Sequence, residues 1–216
     1  MASLLSIVIA TTNEGKLNEL RALLADLPVQ LLSVKDVLGD APSISEDGVT
    51  FDQNALAKAR AICDATSLYA LADDSGLEVD ALDGRPGVRS ARFAHERATD
   101  AENNAALLRE LEEVADGARV ARFRCVLALA SPWSKDRIET VEGSCEGLIA
   151  RAPRGSAGFG YDPLFVVPEL EGRVMAELTE EEKNGISHRA RAVRALRPVL
   201  MRIIEERLRE VERALG

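Results

Sequence analysis

The sequence predicts an α/β fold on a mixed, elongated central sheet with flanking helices, and three observations carry that prediction. Short apolar runs bounded by polar residues recur at residues 5–10, 30–34 and 68–72, as buried strands require. Between the first two, Leu17, Leu20, Leu24 and Leu27 return at helical spacing. Strand, loop, helix, strand is the usual opening of an α/β chain.

The first helix is expected to stop at Pro28, which cannot continue it. Residues 50–66 read as a second helix, with Phe51, Leu56 and Ile62 among alanines. The strand at 68–72 is expected to end at the acidic cluster "DDSG". A helix over 100–114 follows "ATD", which supplies a cap. Strands at 121–130 and 138–150, separated by the polar "SPWSKD", read as an antiparallel hairpin. A strand at 164–167 follows a glycine-rich loop. Thr179 opens a helix that Gly185 stops, and a last helix runs on from Ser187 with an irregularity expected at Pro198. No internal repeat or long linker divides the chain, so residues 1–216 read as a single domain.

With 46% hydrophobic and 29% charged residues, the composition is that of a soluble globular protein. No apolar stretch approaches the roughly 20 residues of a membrane span, and the start "MASLLSIVIA" lacks the pattern of a signal peptide. A cytoplasmic location is expected, with no membrane partner. The formal charge of −9 argues against binding long nucleic acid, yet leaves room for a small phosphorylated ligand in a local basic pocket. Cys63, Cys125 and Cys145 have no zinc-site spacing and are expected as buried free thiols.

Five stretches carry candidate chemistry. In "ATTNEGKLNEL" a strand gives way to a helix, without the spacing of a Walker phosphate loop. Thr11, Thr12, Asn13, Glu14, Gly15 and Lys16 occupy that junction, where helix amides suit an anion. A capped helix with a solvated lysine is the alternative. In "SISEDGVTFDQNALAKA", Glu46 precedes a turn, and Asn54 and Lys58 lie four apart on one helical face. In "LADDSGLEVDAL", Asp73 and Asp74 end an apolar run, so each needs a partner or a metal, and neighbours in a strand face opposite ways. Glu46 and Asp74 are plausible magnesium ligands. A turn capped by Asp and Ser is the other reading of "DDSG". In "GSAGFGYDPLF", flexible backbone beside the aromatics Phe159 and Tyr161 suits a stacked flat ring, or else a tight turn into the next strand. His188 and Arg189 of "SHR" stand in a helix's first turn, where cations oppose the dipole unless compensated. His95 reads as a surface residue.

Taken together, "TTNEGK", "SEDGVTFDQNALAKA", "DDSGLEVDALDGRPGVRSARFA", "GFGYDPLF" and "ELTEEEKNGISHRARA" resemble the inosine triphosphate pyrophosphatase, or Ham1-like, family over nearly the whole chain. The resemblance implies two lobes around a substrate cleft, a homodimer, and magnesium-dependent conversion of ITP, dITP and XTP to the monophosphate plus pyrophosphate. It implies that Thr11, Thr12, Asn13, Glu14, Gly15 and Lys16 contact the triphosphate, that Glu46 and Asp74 face magnesium, and that Asp74 activates water. Lys58 would support the phosphate site and Ser75 would bind substrate. Phe159, Gly160, Tyr161 and Asp162 would hold the nucleoside, and Lys183, His188 and Arg189 would complete the base pocket. The sequence departs from many relatives at Thr12, a β-branched residue where glycine or asparagine is common. It also has Gln53 in place of a glutamate, which weakens the case for a third carboxylate.

Overall fold

The computed structural model describes residues 5–40, 42, 44 and 46–215, and the side chains of all of these except 135–137, 214 and 215. Ser43 and Ser45, at the start of the second motif, lie outside the described residues. Seven strands form one sheet: β1 (Leu5–Ile9), β2 (Val29–Ser33), β3 (Tyr69–Val79), β4 (Val120–Ser131), β5 (Ser134–Ile149), β6 (Phe165–Val167) and β7 (Arg173–Val174). Their order is β2-β1-β3-β4-β5-β6-β7. β1 runs parallel to β2, from Leu5 opposite Val29 to Ile9 opposite Ser33, and parallel to β3 from Ile7 opposite Tyr69. β6 is antiparallel to β5 and β7. The sheet is therefore mixed, as the sequence predicts. β1 is paired on both edges, which accounts for the complete burial of Ile7, Val8 and Ile9.

The helices are α1 (Glu14–Leu23), α2 (Val34–Leu38), α3 (Phe51–Thr66), α4 (Asp100–Glu110), α5 (Glu180–Ile186) and α6 (His188–Leu215). Two compact units divide the chain: one takes the described residues up to Asp74, Val126–Gly143 and Arg189 onward, the other Ser75–Cys125 and Ser144–His188. In the first unit, α3 buries Phe51, Ala55, Ala59 and Ile62, one stripe of a helical face. In the second, Leu77, Leu107, Leu111, Phe123, Leu164 and Phe165 belong to one core cluster.

Several boundaries differ from expectation. β3 does not stop at "DDSG" but runs through it to Val79, because both aspartates find cationic partners that let the strand stay buried. α1 ends at Leu23, short of Pro28, where Arg197 donates to the Leu23 carbonyl and pairs with Asp26 at 2.6 Å. α4 ends at Glu110, and Arg119 and Arg151 take up the carbonyls of Leu111, Glu112 and Val114 beyond it. Only Pro132 and Trp133 separate β4 from β5, so the hairpin strands are longer than expected; a link so short demands antiparallel pairing. α2 is an unforeseen element, opened by a Ser33–Asp36 capping box. α6 passes through Pro198, whose missing donor falls on the exposed side of the helix.

Candidate active site

Asn13 caps α1: its side-chain oxygen accepts from the Lys16 amide at 3.0 Å, and its own amide donates to Thr11 Oγ1. The first-turn amides of Glu14 and Gly15 are donors that helix geometry leaves without internal partners. Thr12, Asn13 and Glu14 are exposed, while Thr11, Gly15 and Lys16 are half-buried. Lys16 is not a solvated lysine. Its Nζ lies 2.7 Å from Asp73 Oδ1.

Asp73 is anchored from the other side by Arg189, whose Nε donates to Asp73 Oδ2 at 2.7 Å. Arg189 also pairs with Glu19 of α1. Burial would push the Asp73 carboxyl up, but the Arg189 and Lys16 cations outweigh it and hold the group well below the usual carboxylate range. The first-turn placement of Arg189 is thus compensated by two carboxylates.

Asp74 faces a separate set of partners. Its Oδ1 is 2.6 Å from Lys58 Nζ, and its Oδ2 accepts from Asn54 Nδ2 at 3.3 Å. Lys58 Nζ also donates to the Asp73 carbonyl at 3.0 Å and lies 3.5 Å from Glu46 Oε1. Burial pushes the Asp74 carboxyl up, Lys58 and Lys16 partly offset it, and Glu46 adds to the rise. Asn54 and Lys58, four apart on α3, therefore do line one face, as their spacing predicts.

Glu46 and Asp74 thus flank one ammonium, an oxygen-only donor set already arranged around a cation. No group of three or more His, Cys, Asp or Glu side chains that could hold a metal occurs among the described residues. Two carboxylates still fit magnesium, which takes few protein ligands and completes its shell with water and substrate phosphates.

The glycine-rich loop of the second unit is built differently from expectation. Phe159 is half-buried, but Tyr161 is not exposed for stacking: it is 4% exposed, donates to the Ser90 carbonyl at 2.8 Å, and belongs to the core. Asp162 is buried too, its Oδ2 accepting from Lys183 Nζ at 2.6 Å and from the Phe159 amide at 3.0 Å. The Lys183 ammonium lies 4.9 Å from the Phe159 ring centroid. Gly158 is required here: its φ is +78°, and a Cβ would sit 2.1 Å from Asp162 Oδ2. His188 stacks on Phe123, ring centroids 4.8 Å apart. Ser75 is half-buried on β3. His95 is exposed beside Glu102, as expected.

Sequence reasoning missed three supports of these groups. Glu19 stands one helical turn after Lys16 on α1, a spacing that could have flagged it. Asp100 accepts from the Gly160 amide at 2.7 Å, and Asn104 donates to the Gly160 carbonyl at 2.9 Å. Both project from the first two turns of α4, and no local pattern announces them.

The sequence profile of the Ham1 family matches residues 7–199. The chain belongs to the Ham1 family. A protein named dITP/XTP pyrophosphatase from Geobacter sulfurreducens is 54% identical over 191 residues, covering 88% of this Ham1-family chain and 94% of the relative. One of the same name from Desulforamulus reducens is 51% identical, covering 92% and 97%. Among solved structures, a HAM1 protein from Coxiella burnetii superposes with a TM-score of 0.82 at 45% identity, covering 92% of this chain and 99% of that one. The Ham1 protein of Staphylococcus aureus gives 0.80 at 38% identity, covering 91% and 98%.

Proposed function

We propose that this chain is a nucleoside triphosphate pyrophosphohydrolase that converts ITP, dITP and XTP to the monophosphate and pyrophosphate, clearing non-standard purines from the nucleotide pool. One observation carries the reading: consecutive buried aspartates on β3 are each held by a lysine, Lys16 at the start of α1 and Lys58 on α3. Positive charge at a helix start, near a second carboxylate whose pKa burial raises, is the equipment for attacking a phosphoric anhydride. Binding alone would not need the carboxylate. The names of the similar proteins support the substrate class.

In this mechanism the α1 amides and Lys16 hold the triphosphate, with Thr11, Thr12, Asn13, Glu14 and Gly15 shaping the loop. Asp74 orients a water toward the α-phosphorus and accepts its proton; a carboxyl raised above its ordinary range is a better base than an unperturbed one. Lys58 steadies Asp74 and, with Lys16, offsets charge on the phosphoryl oxygens and the departing pyrophosphate. Magnesium held by Glu46 and Asp74 would supply further charge neutralisation and lower the pKa of a bound water.

Ser75, Phe159, Gly160, Tyr161, Asp162, Lys183 and His188 serve the nucleoside. Phe159 offers its ring and Gly160 its backbone, while Tyr161 and Asp162 act from beneath by fixing the loop. A 6-oxo purine presents an acceptor to the donors Lys183 and His188, whereas adenine presents an amino donor, at a cost of about 1–3 kcal/mol per bond lost. Arg189, engaged by Asp73 and Glu19, contributes by holding the Asp73–Lys16 pair. The chain is read as one domain in the cytoplasm, working as a homodimer; the homodimer rests on the family resemblance. No described helix is long and apolar enough to cross a membrane.

The test is hydrolysis of ITP, XTP, dITP, GTP, ATP and dTTP with magnesium, reading pyrophosphate and orthophosphate separately. Pyrophosphate from ITP, dITP and XTP is the expected result, with little turnover of ATP and, through the 2-amino group that a 6-oxo contact does not read, of GTP. Orthophosphate as the direct product would move the attack to the terminal phosphate and overturn the mechanism. Turnover of dTTP alone would overturn the purine assignment.

A further inference from the structure

We propose that Asn54 is a positioning residue that ties the turn bearing Glu46 to the carboxylate of Asp74. The proposal's catalytic consequence rests on the functional reading above; the tie itself does not. Asn54 is 2% exposed on the first turns of α3. Its Oδ1 accepts from the Gly48 amide at 2.9 Å, and its Nδ2 donates to Asp74 Oδ2 at 3.3 Å. One amide group thus meets the 46–50 turn with its acceptor and the acidic strand with its donor.

Two neighbouring features reinforce the connection. A Cβ added at Gly48 would lie 2.5 Å from Asn54 Oδ1 and 2.8 Å from Gln53 Cβ, so the turn's close approach to α3 needs glycine. Gln53, the departure from glutamate, is used as a brace: its Oε1 accepts from the Val49 amide at 2.8 Å. One turn further along α3, Lys58 holds the other oxygen of Asp74 and approaches Glu46. The carboxylate of Asp74 is therefore gripped at both oxygens from one helical face. The same face sets the place of Glu46.

Only an amide serves both ends. In Asn54→Asp an oxygen still faces the Gly48 amide, but the donor toward Asp74 becomes an acceptor facing an acceptor. The variant separates a brace for the turn from a guide for the carboxylate. Changing residues that orient active-site ligands typically costs about 10–100-fold.

The experiment compares wild type with Asn54→Asp, Asn54→Ala and Gly48→Ala, using ITP hydrolysis and amide hydrogen exchange at Gly48, with thermal unfolding to check folding. Asn54→Asp should keep slow Gly48 exchange and a KM within about twofold, while kcat falls about 10–100-fold. Asn54→Ala should accelerate Gly48 exchange and lower kcat together. Gly48→Ala, whose Cβ presses on Asn54 Oδ1 and Gln53 Cβ, should loosen the turn, read as faster exchange at Val49. A wild-type kcat in folded Asn54→Asp would reduce Asn54 to a turn brace and overturn the proposal. Unchanged Gly48 exchange in Asn54→Ala would also overturn it, because the tie would not exist. If wild type hydrolyses no nucleotide, the functional reading falls, and the exchange data still decide whether the tie is made.

Discussion

Asp73 and Asp74 are consecutive residues of one strand, yet their carboxylates serve different cations: Asp73 Oδ1 lies 2.7 Å from Lys16 Nζ and Asp74 Oδ1 lies 2.6 Å from Lys58 Nζ. The alternation of strand side chains makes this division of labour possible. Asp73 is locked between Lys16 and Arg189 with its pKa pushed down, which suits an anchor. Asp74 has its pKa pushed up and is the group that can take a proton.

The first prediction follows from that asymmetry. Asp74→Asn keeps the size of the side chain and an acceptor for Lys58, but removes the carboxylate proposed as the base. Hydrolysis of ITP should fall about 10²–10⁴-fold, the usual contribution of a general base. Equilibrium binding of ITP should change far less. Loss of binding in parallel with activity would show that Asp74 holds substrate and does not act as the base.

Asp73→Ala should behave in the opposite way, as a defect of stability before one of chemistry. It leaves the Arg189 guanidinium, 1% exposed, without one of its two counter-charges, and leaves Lys16 without its anchor. Breaking a buried pair by removing one partner costs about 3–5 kcal/mol. Denaturant unfolding of the variant should show that loss. A midpoint equal to wild type would mean that the network contributes no stability.

How much of this was legible beforehand depends on range along the chain. The Thr99 of "ATD" and Thr179 announce helix starts, and the structure places α4 and α5 one residue after each, while Thr50, read as helical, caps α3 instead. Asn54 and Lys58 could be set on one face by helical period alone. The charged "DDSG" could be marked as needing partners, but not as the middle of a strand, because Arg189 reaches Asp73 across 116 residues. Such a pairing leaves no local trace. Tyr161 fails for a related reason: glycines around an aromatic suggest an exposed loop, and only the tertiary fold reveals that its hydroxyl meets the Ser90 carbonyl. The periodic and capped parts were readable. The ion pairs that give the site its charge pattern were not.

Glu182 supplies a pH prediction. Its carboxyl is lowered from 4.5 to about 2, chiefly by Arg173 and then by the Thr179 amide at the start of α5. A carboxyl whose folded pKa is depressed stabilises the protein fully above the unfolded value, and that contribution is lost as pH falls through the folded value. Wild type should therefore melt higher than Glu182→Gln above about pH 5, with the gap closing between pH 4.5 and about 2. A gap that stays constant down to pH 2 would remove ionic pairing as its source.

The last prediction concerns Gly158, which lets the loop wrap the Lys183–Asp162 pair. Gly158→Ala combines a positive φ of +78° with a Cβ placed 2.1 Å from Asp162 Oδ2, so the carboxylate must move or the backbone must turn. Holding a residue other than glycine there costs about 1–3 kcal/mol. Either adjustment disturbs the Phe159 amide and the Lys183 ammonium, both of which bond to that oxygen. In the proposed function these are base-side groups, remote in role from proton transfer. KM for ITP should therefore rise about tenfold or more, and kcat at saturating ITP should change much less, since the lost interactions act on bound substrate and transition state alike. Preference for ITP over ATP should narrow, because Lys183 is no longer held as a donor. A fall in kcat with KM unchanged would instead connect the loop to the Asp74 side of the reaction and overturn its assignment to the base.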